Sequence, residues 1–209
     1  YYDTKTDADN IATLVGYSDK IILSKSVPAL RTAILALKRG GVANVLLPSY
    51  LGFGKNGEPD LNVPSNEPLL ITITTFPERS QAERDEALIK AFLERNNLNA
   101  TRHTSGVYYM IEKPGSGTEI NRLSTVYPFY TGKLLDGTEF DSNKTDTAVT
   151  FSLQTVIPGW QRALPLIKEG GKMRMIVPSG LAYGASPQSS SIKINAILDF
   201  DIEVRKVVN

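Results

Sequence analysis

VPSGLAYG, at Val177–Gly184, has a near copy in the same chain, LPSYLGFG at Leu47–Gly54. The same offset of 130 residues aligns the stretches that precede them, VIPGWQRALPLIKEGG from Val156 and SVPALRTAILALKRGG from Ser26. The stretches that follow, IKINAILDF and VPSNEPLLI, align at an offset of 129, so one loop residue differs. Similarity at one spacing over so many residues indicates a duplicated structural unit. We therefore predict two related copies of one fold.

Each copy predicts a short helix before the repeated segment. In the second copy Pro158 suits the first helical turn, where its missing N–H is not needed. Gly170 and Gly171 are predicted to end this helix, because glycine adopts the left-handed conformation easily. The apolar residues that recur with helical period are Ile157, Trp160, Ala163, Leu164 and Ile167.

The remaining patterns of the second copy predict antiparallel strands. KMRMIVP at Lys172–Pro178 is typical of a strand, and AILDFDIEV at Ala196–Val204 alternates between apolar and acidic residues, as a half-buried strand does. Asp136-Gly137 stands between two apolar runs and predicts a hairpin. The acidic residues predicted to face solvent are Asp199, Asp201 and Glu203. These elements predict an α+β fold in which one short helix packs across a curved antiparallel sheet.

A charged segment between the copies predicts a further helix. SQAERDEALIKAFLERNNLN begins with capping-box spacing, because Glu83 follows Ser80 by three residues. Its apolar stripe consists of Leu88, Ile89, Phe92 and Leu93. We interpret it as a linker helix docked on a neighbouring domain, and a partner-binding helix is the alternative. The predicted domains are an incomplete first copy at 1–77, the linker helix at 78–103 and the second copy at 104–209.

Composition excludes several classes of function. The chain of 209 residues has 23 basic and 22 acidic residues and a net charge of +1, which gives no reason to expect nucleic acid as a partner. No apolar run approaches the ~20 residues of a membrane span. The absence of cysteine excludes disulfides and a cysteine nucleophile. The single histidine, His103, is predicted to be a solvated loop residue and cannot form a zinc site alone. We expect neither a metal nor a cofactor.

Three separated motifs carry a resemblance to a known family. With YTGKLLDGTEFDS at Tyr130–Ser142, VIPGW at Val156–Trp160 and VPSGLAYG, the sequence resembles the FKBP-type peptidyl-prolyl cis-trans isomerases, from about Gly106 to Val207. The resemblance implies a half-barrel of antiparallel strands around one helix, and rotamase activity that assists protein folding. It also implies proline-containing polypeptides as substrates and macrolide-type compounds as inhibitors. The usual Ile-Pro of the family's flap is Ile192-Lys193 in this chain.

The resemblance also implies which residues form the site. The catalytic residues it implies are Tyr183, Asp141 and Trp160. The substrate-binding residues it implies are Tyr130, Phe140, Phe151, Val156, Ile157, Ile192 and Phe200. Each type of residue has a structural alternative. Trp160 could be an ordinary core residue, Tyr130 a cross-strand packing partner and Asp141 a turn cap.

The first copy lacks residues that the implied site needs. Leu30 aligns with Trp160, and Phe53 aligns with Tyr183 without its hydroxyl group. Tyr2-Asp3 is a weak match to Phe140-Asp141. We expect the first copy to have a structural or substrate-holding function without isomerase activity.

Two hypotheses compete with an isomerase for the whole chain. They are a non-catalytic chaperone or adaptor that binds apolar segments, and a scaffold in a larger envelope complex. Because the chain starts at Tyr1 and not at methionine, we expect an upstream segment such as a signal or lipid anchor. Duplicated forms with a helix before the isomerase domain resemble envelope lipoproteins of Gram-negative bacteria. We therefore expect a periplasmic or outer-membrane-anchored location.

Overall fold

The structure is a computed structural model that describes residues 4–5, 11–12, 28–59, 62–186 and 191–209. It divides the chain into two compact units, Tyr1–Ser80 and Gln81–Asn209. The segment between the copies, which the sequence predicts to be helical, therefore belongs to the second unit. The predicted match at Tyr2-Asp3 lies outside the described residues.

The described residues of the first unit form one α-helix and two pairs of strands. In chain order these are β1 (Thr4–Lys5), β2 (Ile11–Ala12), α1 (Pro28–Ala36), β3 (Val42–Leu47) and β4 (Leu69–Thr74). β1 pairs with β2 and β3 pairs with β4, both antiparallel. Among its described residues, the buried core consists of Leu47, Val63, Leu69, Ile71 and Ile73, and Leu30 of α1 and Phe53 pack against it.

The second unit is built on one seven-stranded antiparallel sheet. Its elements are α2 (Gln81–Arg95), β5 (Thr101–Arg102), β6 (Tyr108–Lys113), β7 (Thr125–Leu134), β8 (Glu139–Asn143), β9 (Phe151–Ser152), α3 (Pro158–Ala163), β10 (Lys172–Val177) and β11 (Leu198–Val208). The strand order is β5-β6-β10-β11-β7-β8, and β9 pairs with the start of β7. The predicted hairpin at Asp136-Gly137 is confirmed, because Gly137 has a φ of 91° and its N–H donates to the Leu134 carbonyl.

The two faces of this sheet are covered by different helices. Successive residues of a strand point to opposite faces, and β10 shows this at Met175 and Ile176, both fully buried. Met175 belongs to the core that contains Trp160 of α3. Ile176 belongs to a second core with Ile89 and Phe92 of α2. The α+β fold predicted from the sequence is confirmed, and buried side chains lie on both faces of β10.

This second covering helix overturns one detail of the predicted strand. Asp199 of β11 was predicted to face solvent, but it is only 5% exposed. Its two carboxylate oxygens accept hydrogen bonds from Nε and Nη2 of Arg174 at 2.9 and 2.7 Å. The Arg174 guanidinium in turn lies 5.9 Å from the ring centre of Phe92 on α2. The prediction was wrong at this residue because sequence alternation does not show that a helix covers the outer face.

The end of α3 also differs from the prediction. The helix ends at Ala163 and continues as a 3-10 turn, Leu164–Leu166, well before Gly170-Gly171. Pro165 has no N–H to donate to a carbonyl of the preceding turn, so it stops the α-helical pattern. Gly170, with a φ of 78°, instead forms the turn that leads into β10.

The two units share their strand register. Leu47 pairs with Leu69 at the end of β3–β4. The residues aligned with these two, Val177 and Leu198, pair at the corresponding point of β10–β11. The glycine that ends the repeated loop has a φ of 58° in the first unit and 55° in the second. The aligned sequences therefore adopt the same local geometry in both units.

Candidate functional site

A cavity of about 230 Å³ opens in the second unit beside α3. It is lined by Tyr130, Phe140, Asp141, Phe151, Thr155, Val156, Ile157, Trp160, Tyr183 and Phe200. Most of these side chains are aromatic or aliphatic, and the polar atoms come mainly from one carboxylate and two phenols. A concave apolar site with a few polar groups is the usual form of a ligand-binding pocket.

The indole of Trp160 forms the floor of this cavity. It is 4% exposed, and three aromatic rings meet it edge-on, those of Tyr130, Phe151 and Phe200, at centroid distances of 5.6, 5.5 and 5.3 Å. The indole N–H is buried and has no acceptor among the described residues. The orientation of the indole therefore depends on packing, and edge-to-face pairs of this kind fix such an orientation well.

Two glycines allow the walls and the floor to approach each other. A Cβ on Gly159 would lie 2.3 Å from Cγ1 of Val177, so α3 packs directly on β10. A Cβ on Gly132 of β7 would lie 2.6 Å from Cζ of Phe140 and 2.9 Å from Cε1 of Phe200. The two phenylalanine rings cross perpendicularly at 5.7 Å over this glycine. They form one wall of the cavity because β7 has no side chain there.

The polar edge of the cavity is formed by Tyr130, Asp141 and Tyr183. The Tyr130 hydroxyl donates a hydrogen bond of 2.7 Å to Oδ2 of Asp141. Burial, and then this bond, raises the pKa of Tyr130 above its ordinary value. Burial, and then the negative charge of Asp141, raises the pKa of Tyr183. Both phenols are therefore protonated at neutral pH and can act as hydrogen-bond donors.

The backbone before α3 forms the opposite rim. Ile157 is the N-cap residue, with φ −55° and ψ 147°, and its carbonyl accepts a hydrogen bond from the backbone N–H of Trp160 at 3.1 Å. The side-chain amide of Gln161 donates to the Val156 carbonyl at 2.8 Å. These contacts hold the extended segment Val156–Ile157 against the first turn of the helix, with both side chains on the cavity.

The structure brings together nine of the ten site residues that the sequence analysis names. Ile192 is the exception, because it does not line the cavity. It is 7% exposed and packs in the core of the second unit, because burial removes its apolar side chain from water. Its function in substrate binding stays a prediction.

Sequence reasoning missed two residues of the site. Thr155 lines the cavity directly, and no feature of the sequence indicated it. Gly132 shapes the wall, and the signal was available, because a glycine inside a strand pattern often marks a close approach of another group.

The described part of the chain contains neither a candidate membrane-spanning helix nor a candidate metal-binding cluster. No helix there is long and apolar enough to cross a membrane. Within the same residues, no group of three or more histidine, cysteine or acidic side chains is arranged to hold a metal ion. His103, predicted to be a solvated loop residue, lies half-buried in a turn, where its Nδ1 accepts the Ser105 N–H at 3.1 Å.

Comparison with known proteins identifies the domain that carries the cavity. Residues 117–205 match the profile of the family described as FKBP-type peptidyl-prolyl cis-trans isomerase. The second unit contains an FKBP-type domain. The matched residues include β7 to β10, α3, most of β11 and every residue of the cavity lining, and β5 and β6 lie before them.

Individual proteins are similar to this chain over more residues than the family match covers. The probable FKBP-type peptidyl-prolyl cis-trans isomerase FkpA of Neisseria meningitidis serogroup B is 38% identical over 130 residues, which are 62% of this chain and 47% of that protein. The outer membrane protein MIP of Legionella longbeachae is 38% identical over 130 residues, 61% of this chain and 56% of that protein. The chain thus spans about half the length of the curated relatives it matches.

A solved structure agrees with the FKBP-type fold. The crystal structure of a peptidyl-prolyl cis-trans isomerase from Pseudomonas syringae pv. tomato superimposes with a TM-score of 0.53 at 28% sequence identity. The match covers 61% of this chain and 96% of that protein. The part of this chain that resembles a solved isomerase therefore corresponds to almost all of that protein.

Proposed function

We propose that this protein is a peptidyl-prolyl cis-trans isomerase that acts through the cavity above Trp160. The observation that carries this proposal is the joining of a buried aromatic floor, aromatic walls and a phenol–carboxylate edge in one cavity of about 230 Å³. The FKBP-type profile over residues 117–205 supports it. The solved isomerase that this domain resembles gives a second line of support.

The cavity favours the transition state of rotation about an X-Pro bond. Rotation breaks amide resonance and has a barrier of about 18–20 kcal/mol. The planar amide is more polar than the twisted one, so an apolar aromatic cavity solvates the twisted state better relative to the planar state. An enzyme accelerates a reaction by stabilising the transition state more than the ground state. No covalent intermediate or proton transfer is required for this reaction.

The polar edge has two functions in this mechanism. The Tyr183 hydroxyl, protonated at neutral pH, donates a hydrogen bond to a substrate carbonyl. This bond is strengthened because the site contains little water. Asp141 is held by the Tyr130 hydroxyl at 2.7 Å, and this bond fixes the carboxylate at the rim. At the rim, the Asp141 carboxylate can contact the substrate while the amide of the substrate rotates.

The substrates proposed are proline-containing polypeptides that need folding assistance, and macrolide-type inhibitors would bind in the same cavity. We propose that these clients are exported proteins and that the protein acts in the bacterial cell envelope. A relative named as an outer membrane protein supports this location. Attachment as a lipoprotein, by a segment outside the sequence, belongs to the same proposal.

The first unit is proposed to be a degenerate duplicate of the second without isomerase activity. The shared register of its strands and the shared conformation of its loop support duplication. Leu30 and Phe53, which align with the tryptophan and the catalytic tyrosine, pack against the core of the first unit. A site built from them would have no indole floor and no hydroxyl donor.

A second activity, the binding of apolar segments without catalysis, is favoured by one observation in the first unit. Leu46 of β3 is paired with Leu70 of β4, and the two side chains are 74% and 43% exposed. Val42, on the same face of β3, is 61% exposed. Exposed apolar patches of this kind mark interaction surfaces, so this face is the proposed site of a chaperone function.

Catalysis is tested by isomerisation of a short proline peptide in a protease-coupled assay. The wild-type protein is expected to accelerate the reaction, and Tyr183→Phe is expected to lower kcat/KM about tenfold, because a hydrogen bond in the transition state is lost. Tyr50→Phe is the matched control, because it removes the hydroxyl of a tyrosine that is 78% exposed in the aligned loop of the first unit. A wild-type rate equal to that of the uncatalysed reaction would leave only the binding function.

A further inference from the structure

Asp85 of α2 is a buried carboxylate that the proposed reaction does not use. It is 1% exposed on a helix whose other acidic side chains are more accessible. Its Oδ2 accepts two hydrogen bonds from Ser179, from the backbone N–H at 2.8 Å and from the hydroxyl at 2.7 Å. Its Oδ1 accepts a bond of 2.6 Å from the side-chain amide of Gln81. Burying a carboxylate is costly unless donors compensate, and these donors do so.

Ser179 stands at the start of the loop that presents Tyr183 to the cavity. Its carbonyl accepts hydrogen bonds from the N–H of Ala182 at 3.0 Å and from that of Gly184 at 2.8 Å. These two residues flank Tyr183 on either side. Ser179 is therefore held by Asp85 through its own N–H and hydroxyl, and it holds the backbone on both sides of the tyrosine through its carbonyl.

The first unit provides an internal comparison for this arrangement. Ser49, aligned with Ser179, begins the same kind of 3-10 turn, and its carbonyl accepts the Gly52 N–H at 3.0 Å. Within the described residues, no carboxylate bonds to Ser49. The residue aligned with Tyr183 is Phe53, which has no hydroxyl to position. In the described part of the chain, the loop whose tyrosine is replaced by phenylalanine is thus also the loop to which no carboxylate bonds.

We propose that Asp85 is a positioning residue for the isomerase, which fixes the Tyr183 hydroxyl through Ser179. The helix α2 therefore contributes to catalysis by positioning the loop that carries Tyr183. A small displacement of a catalytic group lowers the rate strongly, because the transition state needs it at one place. This inference rests on the proposed function of the cavity and deepens it.

A double-mutant cycle between Asp85 and Tyr183 tests the inference on the full chain. We expect Asp85→Ala to lower kcat about tenfold with little change in KM, because a contact made in the transition state is misplaced. In a Tyr183→Phe background, the same change should have almost no further effect, because the two residues act through one hydroxyl. Asp85→Asn should restore most of the activity, since an amide oxygen still accepts from Ser179 and the Gln81 amide can turn to match.

The control is Glu86→Gln on the same helix. Glu86 accepts hydrogen bonds from Tyr108 at 2.7 Å and from Arg102 at 3.0 Å, so its loss should lower stability without touching the Tyr183 loop. Amide hydrogen exchange gives a second readout. Asp85→Ala should speed exchange at Ala182 and Gly184, and Glu86→Gln should not.

Several outcomes would overturn the inference. If the wild type is active, an unchanged kcat in Asp85→Ala would overturn it. It would also be overturned if the fold-losses in kcat of Asp85→Ala and Tyr183→Phe multiplied in the double variant. If Asp85→Ala does not fold, Ser179→Ala takes its place in the double-mutant cycle. This variant removes only the hydrogen bond from the Ser179 hydroxyl to Asp85, and its kcat is judged in the same way. An inactive wild type would instead contradict the proposed function itself, so the two failures can be told apart.

Discussion

Replacing Trp160 by leucine, the residue at the aligned position of the first unit, should abolish most of the activity and leave the fold intact. The indole makes edge-to-face contacts with three rings at 5.3–5.6 Å. Each such pair contributes about 0.5–1.5 kcal/mol beyond its buried area. Their loss therefore lowers the free energy of unfolding by about 3 kcal/mol. Domains of this kind have about 5–15 kcal/mol in total, so the variant should remain folded.

The effect of Trp160→Leu on catalysis follows from the lost floor of the cavity. Fully burying a large apolar side chain contributes about 1.5–3 kcal/mol, and contact with the indole gives a substrate proline at least half of such an amount. Each 1.4 kcal/mol of lost transition-state stabilisation is about tenfold in rate. We expect kcat/KM to fall by at least about fourfold to tenfold in the protease-coupled peptide assay.

Two controls separate catalysis from stability in this experiment. Leu164 is fully buried and does not line the cavity, so Leu164→Ala should cost a similar free energy of unfolding, about 3 kcal/mol, and leave kcat/KM unchanged. Leu30→Ala, at the aligned position of the first unit, should also leave kcat/KM unchanged. If Trp160→Leu keeps kcat/KM within about twofold of wild type while its stability falls as expected, the indole is only a core residue and the proposed mechanism is wrong.

Two further predictions concern the cavity wall and the response to acid. Gly132→Ala places a Cβ 2.6 Å from Phe140 and 2.9 Å from Phe200, so the displaced rings should lower kcat/KM, and overpacking should cost about 1–3 kcal/mol of unfolding free energy. Although burial acts to raise it, hydrogen bonds from Tyr108, Arg102 and Lys90 lower the pKa of the Glu86 carboxyl to about 2. The contribution of the ionised Glu86 carboxyl to the free energy of unfolding is therefore fully present above its ordinary pKa. It is lost as the pH falls from about 4.5 towards 2.

These two predictions are checked by enzyme kinetics and by urea unfolding. Gly180→Ala is the control for the wall, because no atom lies within 4 Å of a Cβ at that position; equal kcat/KM in both alanine variants would contradict the argument. For the acid response, wild type should lose roughly 1 kcal/mol more than Glu86→Gln between about pH 6 and pH 2, after allowance for solvent screening. Parallel pH profiles would show that the Glu86 contacts contribute nothing to stability.

Local patterns in the sequence determined the elements of this protein, and the resemblance to a known family implied the aromatic residues of its site. Pro158 predicted the first residue of α3, and Asp136-Gly137 predicted the hairpin, because proline and glycine restrict or extend the backbone angles of their own positions. Alternation predicted β11, and the repeat predicted a second, related copy of the helix and strands. These features depend on a few neighbouring residues, so they can be read without the fold.

Only the tertiary structure decided which groups from distant parts of the chain meet. Asp199 is buried because α2 covers the outer face of the sheet, and Ile192 packs in the core and not at the rim of the cavity. Gly132 matters because two rings from other strands cross above it. The bond from Asp85 to Ser179 joins residues 94 positions apart. Contacts of this kind arise from packing between elements, and packing has no period or motif in the sequence.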